Sequence, residues 1–153
     1  GYDVHKLAEN ETLILGGVTI EHNKGTVGHS DGDVLIHAIC DALRGAANLR
    51  DIGFHFPDND AEYKNINSSI LLNKVMEMIR KTGFEIVNID TTICLQKPKI
   101  KNRIPEMQHI LSEVMDIPRQ NVSVKATTTE KLGFVGEEKG ISAYAVALIQ
   151  KTS

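Results

Sequence analysis

The sequence predicts a single α/β domain of the α+β type, in which a mixed β-sheet carries helices on one face. Segments with strand-like and helix-like hydrophobic spacing alternate along the 153 residues, and no internal repeat or linker interrupts them. This length is typical of one domain that buries its own core, so residues 1–153 are predicted to form one unit.

The first elements are predicted to be short strands. Residues from Tyr2 onwards form an initial strand, and residues 12–20 form a hairpin whose turn is the pair Gly16-Gly17. The following segment, His22 to Gly28, is rich in His, Asn and Gly and is predicted to be a loop.

A helix is predicted next, because Ser30 and Asp31 are good N-cap residues and an apolar stripe with helical spacing follows them. Its members are Val34, Leu35, Ala38, Ile39, Ala42 and Leu43. Residues 51–60 are crowded with turn formers and have no sustained period. They are predicted to be a loop of the kind that often carries function.

The second half alternates in the same way. A helix capped by Ser68 or Ser69 ends at Gly83, a strand covers 84–95, and a third helix has Pro105 in its first turn. Two further strands are predicted over residues 121–125 and 141–149.

Composition excludes several classes of partner. Seventeen basic and twenty acidic residues give a net charge of −3, and no run of Lys or Arg offers a surface for nucleic acid or anionic lipid. No apolar stretch approaches the roughly 18 to 20 residues of a membrane span. Cys40 and Cys94 are interpreted as small buried hydrophobic residues rather than as a disulfide, which fits a reducing compartment.

A metal site is suggested by Asp3, His5 and His37. Residues two apart on a strand point to the same face, so Asp3 and His5 present a carboxylate and an imidazole side by side. His37 is predicted in mid-helix, with Asp33 and Asp41 on the same stripe, where a carboxylate could orient its ring. Two His and one Asp leave tetrahedral zinc one open position, the catalytic arrangement. The alternative is a chance D-x-H triplet and an ordinary helix histidine.

Two segments are suited to phosphate. His29 and Ser30 lie just before the first long helix, where an anion is favoured, although a plain N-cap explains Ser30 equally well. Thr127, Thr128, Thr129 and Glu130 offer hydroxyls and a carboxylate for phosphate oxygens and a hard cation, but threonine runs also favour strands. The turn over 96–99 could wrap a base, and the residues 133–136 supply flexible backbone.

Taken in order, these motifs resemble the 2-C-methyl-D-erythritol 2,4-cyclodiphosphate synthase family across nearly the whole chain. The resemblance rests on joint order and spacing rather than on any one string. The matching segments are Asp3-Val4-His5, Gly28 to Leu35, His37-Ala38, Asp51-Ile52-Gly53, Phe56-Pro57-Asp58, Gln96 to Lys99, Lys125 to Glu130 and Gly133-Phe134.

The resemblance implies a homotrimer with active sites between subunits. The implied substrate is 4-diphosphocytidyl-2-C-methyl-D-erythritol 2-phosphate, which closes to 2-C-methyl-D-erythritol 2,4-cyclodiphosphate with release of CMP, a step of non-mevalonate isoprenoid biosynthesis. The implied cofactors are zinc on Asp3, His5 and His37 and Mg²⁺ or Mn²⁺ on Glu130. His29 and Thr128 would position and stabilise the transferring phosphoryl group. Substrate contacts are implied for Asp3, His5, His29, Ser30, Asp51, Gly53, Phe56, Asp58, Leu95, Pro98, Lys99, Ile100, Lys101, Thr127, Thr128, Thr129, Glu130 and Phe134.

Other interpretations are also open. A metal-dependent phosphohydrolase would activate water with the same ions, and a trimeric module that binds a nucleotide or an isoprenoid phosphate would hold a structural metal. The resemblance implies that the protein is located either in the bacterial cytoplasm or in the stroma of a plastid or apicoplast.

Glu137 stands where bacterial relatives commonly carry Arg. We expect either that three copies of Glu137 form a repulsive ring of carboxylates at the trimer axis, or that Glu137 belongs to an ordinary solvated loop.

Overall fold

A five-stranded mixed sheet and a layer of helices form the body of the protein. The structure is a computed structural model that describes residues 1–50 and 66–153, so the loop predicted over 51–60 lies outside the described residues. Two single 3₁₀ turns cover Lys101–Arg103 and Arg119–Asn121. The strands and helices are β1 (Tyr2–Glu9), β2 (Leu13–Leu15), β3 (Val18–Ile20), β4 (Lys24–Val27), α1 (Val34–Ala46), α2 (Ser68–Lys81), β5 (Phe84–Cys94), α3 (Ile104–Met115), β6 (Val122–Thr127), α4 (Gly133–Gly136) and β7 (Gly140–Lys151).

The main sheet has the strand order β4-β1-β7-β5-β6, while β2 and β3 form a separate hairpin. β5 and β6 run parallel, and the other neighbours in the main sheet are antiparallel. One row across the sheet joins Val4, Ser142, Cys94 and Thr127. At the usual strand spacing, the ends of this row on β1 and β6 are about 14 Å apart.

The three long helices α1, α2 and α3 lie on one face of the sheet, as predicted, whereas the single turn α4 lies beside Tyr2 and Tyr144 on the other face. In β7 the residues Ile141, Ala143 and Ala145 are buried under α1, whereas Tyr144 and Val146, which point the other way, are exposed. This alternation follows from the period of two along a strand. We call the face opposite the helices the outer face; it carries the exposed side chains of Tyr2, Val4, Tyr144, Val146 and Leu148.

The start of α1 differs from the prediction. The N-cap is Asp33 rather than Ser30 or Asp31: its carboxylate accepts from the backbone N–H of Ile36 at 3.1 Å. The same carboxylate accepts from Gly16 N–H and Gly17 N–H in the β2–β3 turn at 3.0 and 2.8 Å. The hairpin turn therefore fixes which acidic residue caps the helix, a tertiary effect that local cap preferences do not contain.

Three other local predictions are corrected. The predicted loop before Gly28 contains β4, which pairs with β1, because an edge strand can be built from polar residues when a neighbour supplies hydrogen bonds. Helix α2 is capped by Asn67, not by Ser68 or Ser69. Residues 133–136, predicted as flexible backbone, form the single turn α4. The end of α2 near Gly83 and Pro105 in the first turn of α3 are confirmed.

Candidate active site

Strand β1 and helix α1 bring Asp3, His5 and His37 together. Asp3 and His5 are both on the helix side of β1, and α1 packs across that strand. Asp3 Oδ2 lies 2.8 Å from His5 Nε2 and 3.2 Å from His37 Nδ1, and the two imidazole nitrogens are 3.3 Å apart. One ligand atom from each side chain therefore points at a common centre.

The ring of His5 is held from its far side. Its Nδ1 lies 3.1 Å from the carbonyl oxygen of Val27, so Nδ1–H donates there and the lone pair of Nε2 faces Asp3 and His37. Gly28 lies against the ring: a Cβ added at Gly28 would be 3.0 Å from His5 Cε1. The backbone between β4 and α1 thus fixes both the tautomer and the position of this imidazole.

The two side chains from β1 shift each other's protonation. Burial acts to raise the pKa of Asp3, but hydrogen bonds from His37 and His5, with their charges, lower that pKa to about 2. Burial acts to lower the pKa of His5, and the carboxylate of Asp3 outweighs it, so the pKa of His5 is raised above 6.5. The raised pKa of His5 means that these groups hold a proton more tightly than a free imidazole does, and a cation bound there would compete with that proton.

The outer nitrogen of His37 faces hydroxyl groups. Its Nε2 lies 2.9 Å from Ser68 Oγ and 3.1 Å from Ser30 Oγ, and Ser68 Oγ in turn donates to Asp31 Oδ1. The carboxylate behind this ring is that of Asp31, which acts through Ser68, and not that of Asp33 or Asp41 on the helix stripe. Asp33 caps α1, and Asp41 accepts from the backbone N–H of Tyr2 at 3.1 Å.

The three residues fit a zinc ion. Among the described residues, Asp3, His5 and His37 are the one group of His, Cys, Asp and Glu side chains whose ligand atoms all lie within 4.8 Å of one another. Two imidazole nitrogens and one carboxylate oxygen are ligands that zinc accepts in tetrahedral geometry, and three protein ligands leave one position open. The arrangement can hold a cation and still present it to a substrate oxygen.

The threonine segment ends strand β6 at the opposite edge of the sheet. Thr128 Oγ1 accepts from Glu130 N–H at 3.3 Å, and Thr129 Oγ1 donates to Leu132 O at 2.7 Å. Glu130 and Lys131 both have positive φ, 55° and 63°, a backbone conformation that is uncommon outside glycine and often found at functional sites. This tight turn presents exposed hydroxyl and carboxylate groups to solvent.

The turn after β5 lies beside the threonine turn. Leu95 N–H donates to Thr127 O at 2.9 Å, and Lys131 N–H donates to Gln96 Oε1 at 3.3 Å. Leu95 and Ile100 are buried, whereas Lys99 and Lys101 are exposed and Pro98 is half-buried behind a cis peptide bond. A hollow of about 160 Å³ opens next to them, lined by Tyr2, Cys94, Thr129, Leu132, Gly133, Phe134, Val135, Ser142 and Tyr144.

Only part of the predicted site is assembled within one chain. One assembled group consists of Asp3, His5 and His37, the metal trio; Ser30 contacts His37, and His29 precedes Ser30 in the chain. The other group consists of residues 95–101, which contact residues 127–134. These two groups sit at β1 and β6, about 14 Å apart across the sheet. Asp51, Gly53, Phe56 and Asp58 lie outside the described residues. Glu137 is exposed and forms an ion pair with Lys139 at 3.2 Å.

Sequence reasoning missed the roles of Ser68 and Asp31. Ser68 was predicted as a helix cap and Asp31 as another, yet both contribute to the surroundings of His37. No spacing rule could have paired them, because 37 residues separate them in the chain.

Comparisons with known proteins agree with this geometry. Residues 1–150 match the model of the YgbB family. The 2-C-methyl-D-erythritol 2,4-cyclodiphosphate synthase of Bacteroides fragilis is 62% identical over 151 residues, which is 99% of this chain and 95% of that protein. The IspF CDP complex from Plasmodium falciparum is 38% identical and has a TM-score of 0.87. This match covers 100% of this chain and 94% of that protein.

A bifunctional protein also contains this fold. The IspDF protein of Campylobacter jejuni is 43% identical with a TM-score of 0.94; all of this chain is covered, but the chain spans only 41% of that protein. The match over 150 residues and the high identity to a nearly full-length relative leave one assignment: the chain belongs to the YgbB family.

Proposed function

We propose that this protein converts 4-diphosphocytidyl-2-C-methyl-D-erythritol 2-phosphate to 2-C-methyl-D-erythritol 2,4-cyclodiphosphate and releases CMP, as a phosphorus–oxygen lyase of the non-mevalonate pathway. The observation that carries the proposal is the Asp3–His5–His37 cluster, whose ligand atoms converge within 4.8 Å in a chain 62% identical to a synthase of that name. The bacterial relatives favour the cytoplasm over a plastid stroma.

The metal half of the site is proposed to bind zinc. Asp3, His5 and His37 would supply three ligands, and a bound zinc ion would act as a Lewis acid that offsets charge on the phosphate oxygens. Ser30 lies next to His37, and Ser30 and the preceding residue His29 would contact a phosphate there. The attacking 2-phosphate is already ionised at neutral pH, so the chain needs to orient it rather than to remove a proton from it.

The nucleotide half is proposed to be the pair of turns at β5 and β6. A related protein, IspF of Plasmodium falciparum, is known as a CDP complex, which supports a cytidine diphosphate site. The turn with Leu95, Pro98, Lys99, Ile100 and Lys101 would enclose the cytosine, and Thr127, Thr128 and Thr129 would contact the diphosphate. Glu130 would hold Mg²⁺ or Mn²⁺ between the phosphates, because a hard cation prefers carboxylate and phosphate oxygens.

Catalysis is proposed to rest on positioning and charge. The 2-phosphate oxygen would attack the β-phosphorus in line with the departing CMP oxygen, so one P–O bond forms as another breaks and water is not consumed. The Thr128 hydroxyl would donate to the oxygens of the transferring group, where negative charge develops. Asp51, Gly53, Phe56 and Asp58 would hold the methylerythritol portion, and Phe134 would be a further substrate contact.

We also propose that the protein is a homotrimer with sites shared between subunits. The two halves of the site are about 14 Å apart in one chain, which is too far for the two ends of one diphosphate. The outer face exposes a cluster of apolar side chains, with Val146 70% and Leu148 57% exposed, and such a patch is typical of an interface. Cyclic packing of three outer faces would bury it and could bring β1 of one subunit towards β6 of the next.

The activity is tested by ³¹P NMR of the reaction with the diphosphocytidyl substrate. We expect cyclic diphosphate and CMP and no inorganic phosphate; release of inorganic phosphate would instead identify a hydrolase. His37→Ala should lose both the bound zinc and the activity. His109→Ala is the matched control, because His109 is exposed on α3 and pairs with Glu113 one turn away, at 3.2 Å. A wild type that binds this substrate without turnover would be a binding module.

The assembly is tested by Val146→Asp. A carboxylate on the outer face, next to Asp90 on the neighbouring strand, should dissociate the trimer and abolish activity. Ile70→Asp is the control: Ile70 is a 50% exposed apolar residue on α2, on the helix side. Sedimentation velocity should show a trimer for wild type and Ile70→Asp and a monomer for Val146→Asp. An active monomer would contradict shared sites.

A further inference from the structure

We propose that Asp31 and Ser68 are positioning residues that hold His37 as its Nε2–H tautomer, so that the lone pair of Nδ1 faces the metal centre. The inference deepens the proposed function, since it rests on His37 being a zinc ligand. It concerns hydrogen bonds to the side of the ring that faces away from Asp3 and His5.

The position of Ser68 is fixed independently of His37. Ser68 is fully buried at the start of α2, which Asn67 caps, and its backbone N–H donates to Asp31 Oδ2 at 2.8 Å. Asp31 is itself held, because its Oδ1 accepts from Asp33 N–H at 3.1 Å and its own N–H donates to Ile66 O at 3.3 Å. The approach to α1 and the start of α2 are thereby joined around one hydroxyl.

The direction of the hydrogen bonds follows from the number of protons. A serine hydroxyl has one proton to donate, and the Asp31 carboxylate is a stronger acceptor than a neutral imidazole nitrogen. Ser68 Oγ therefore donates to Asp31 Oδ1 and uses a lone pair to accept from His37 Nε2, 2.9 Å away. His37 must then carry its proton on Nε2.

A competing acceptor makes this arrangement necessary. Asp3 Oδ2 lies 3.2 Å from His37 Nδ1 on the metal side and would accept a proton placed there. A neutral His37 with Nδ1–H cannot donate its lone pair to a cation at the cluster. The Asp31–Ser68 pair draws the proton to the opposite nitrogen, which is the role that outer hydrogen bonds play for metal-bound histidines generally.

The tautomer can be read directly by ¹⁵N NMR of histidine-labelled, metal-free protein, at an alkaline pH above which the ¹⁵N shifts of His37 no longer change. Wild type should show Nε2–H for His37. Ser68→Ala should move the proton to Nδ1, because Asp3 is then the carboxylate acceptor nearest the ring. Asp31→Asn should shift it in the same direction while keeping the hydroxyl. Ser30→Ala is the matched control, since it removes the other hydroxyl at Nε2, 3.1 Å away, and should leave Nε2–H dominant.

Zinc affinity provides the second readout. By competition with a chromophoric chelator, Ser68→Ala should raise the zinc Kd about 10- to 100-fold, the usual effect of losing such a partner. Ser68→Thr restores a hydroxyl and should recover most of that loss, whereas Ser30→Ala should stay within about threefold of wild type. Ser68→Ala keeps the backbone N–H bond to Asp31, so the start of α2 remains in place.

The outcomes separate the two proposals. A Ser68→Ala protein with wild-type zinc affinity and an unchanged His37 tautomer would overturn the positioning role. A wild type that shows the Nε2–H tautomer, and loses it in Ser68→Ala, but binds no zinc would support the positioning and reject the proposed metal. Equal losses in Ser30→Ala and Ser68→Ala would also overturn the inference, because Asp31 would then have no special effect.

Discussion

Asp33→Ala should destabilise the fold by more than the loss of an ordinary helix cap. Loss of the cap to Ile36 N–H costs about 1 kcal/mol. The substitution also removes the acceptor of two N–H groups, of which Gly16 N–H is buried and Gly17 N–H is partly open to water, and a buried donor without a partner costs about 1 to 3 kcal/mol. Burial raises the pKa of Asp33, so removing this carboxylate returns part of a desolvation cost.

The net expectation is a loss of about 3 kcal/mol in the free energy of unfolding, or about 6 to 12 °C in Tm for a chain of this size. Asp41→Ala is the control within the same helix, because Asp41 accepts one exposed hydrogen bond, from Tyr2 N–H. It should cost less than about 1 kcal/mol. Urea unfolding at one fixed protein concentration and one zinc concentration would compare them, since association and metal both shift apparent stability.

The reasoning is refuted if Asp33→Ala and Asp41→Ala lose equal stability. That result would mean that water replaces the carboxylate at the glycine turn without cost. A loss confined to the helix, seen as early hydrogen exchange of α1 with the β2–β3 hairpin still protected, would also contradict the proposed coupling between the turn and the cap.

Four further outcomes are expected. Thr128→Val should lower kcat and kcat/KM together, by about 10²-fold as for loss of one oxyanion donor, and a raised KM with unchanged kcat would make Thr128 a ground-state contact only. Zinc should bind more weakly as pH falls below the raised pKa of His5, and calorimetry in two buffers should detect the displaced proton. In metal-free protein, Asp3 contributes stability above pH 3.8, and this is lost as the pH falls towards about 2. His5 contributes stability below pH 6.5, and this is lost as the pH rises through its raised pKa. The Tm from thermal melts should therefore be highest between these limits. If Glu137 lines a trimer axis, Glu137→Arg should bind geranyl diphosphate in a salt-dependent manner that wild type lacks; no gain would leave Glu137 as a surface residue paired with Lys139.

Much of the architecture follows from hydrophobic periodicity. The stripe that predicts α1 is the buried face of that helix, and Val34, Leu35 and Ile39 are fully buried. The D-x-H spacing identified Asp3 and His5 as a pair because the strand period alone places both side chains on one face.

The remaining features depend on contacts between distant segments. β4 is a strand because β1 offers an open edge, and Asp33 is the cap because a glycine turn 16 to 17 residues earlier donates to it. His37 could be proposed as a ligand, but the approach of α1 to β1 is a packing result. Spacing in a single sequence does not encode which hydroxyl lies behind an imidazole.

The separation of the two half-sites across the sheet matters when different subunits are mixed. A His37→Ala chain would keep an intact threonine turn, and a Thr128→Val chain would keep an intact metal trio. Each alone should be nearly inactive. If the protein is the proposed trimer with shared sites, the two variants co-refolded at equal amounts should restore full activity to about one site in four, because each intact site then needs one chain of each variant in a particular order. In a cell expressing two alleles, the same arithmetic would let one defective copy rescue another, and would let a defective copy impair a healthy one.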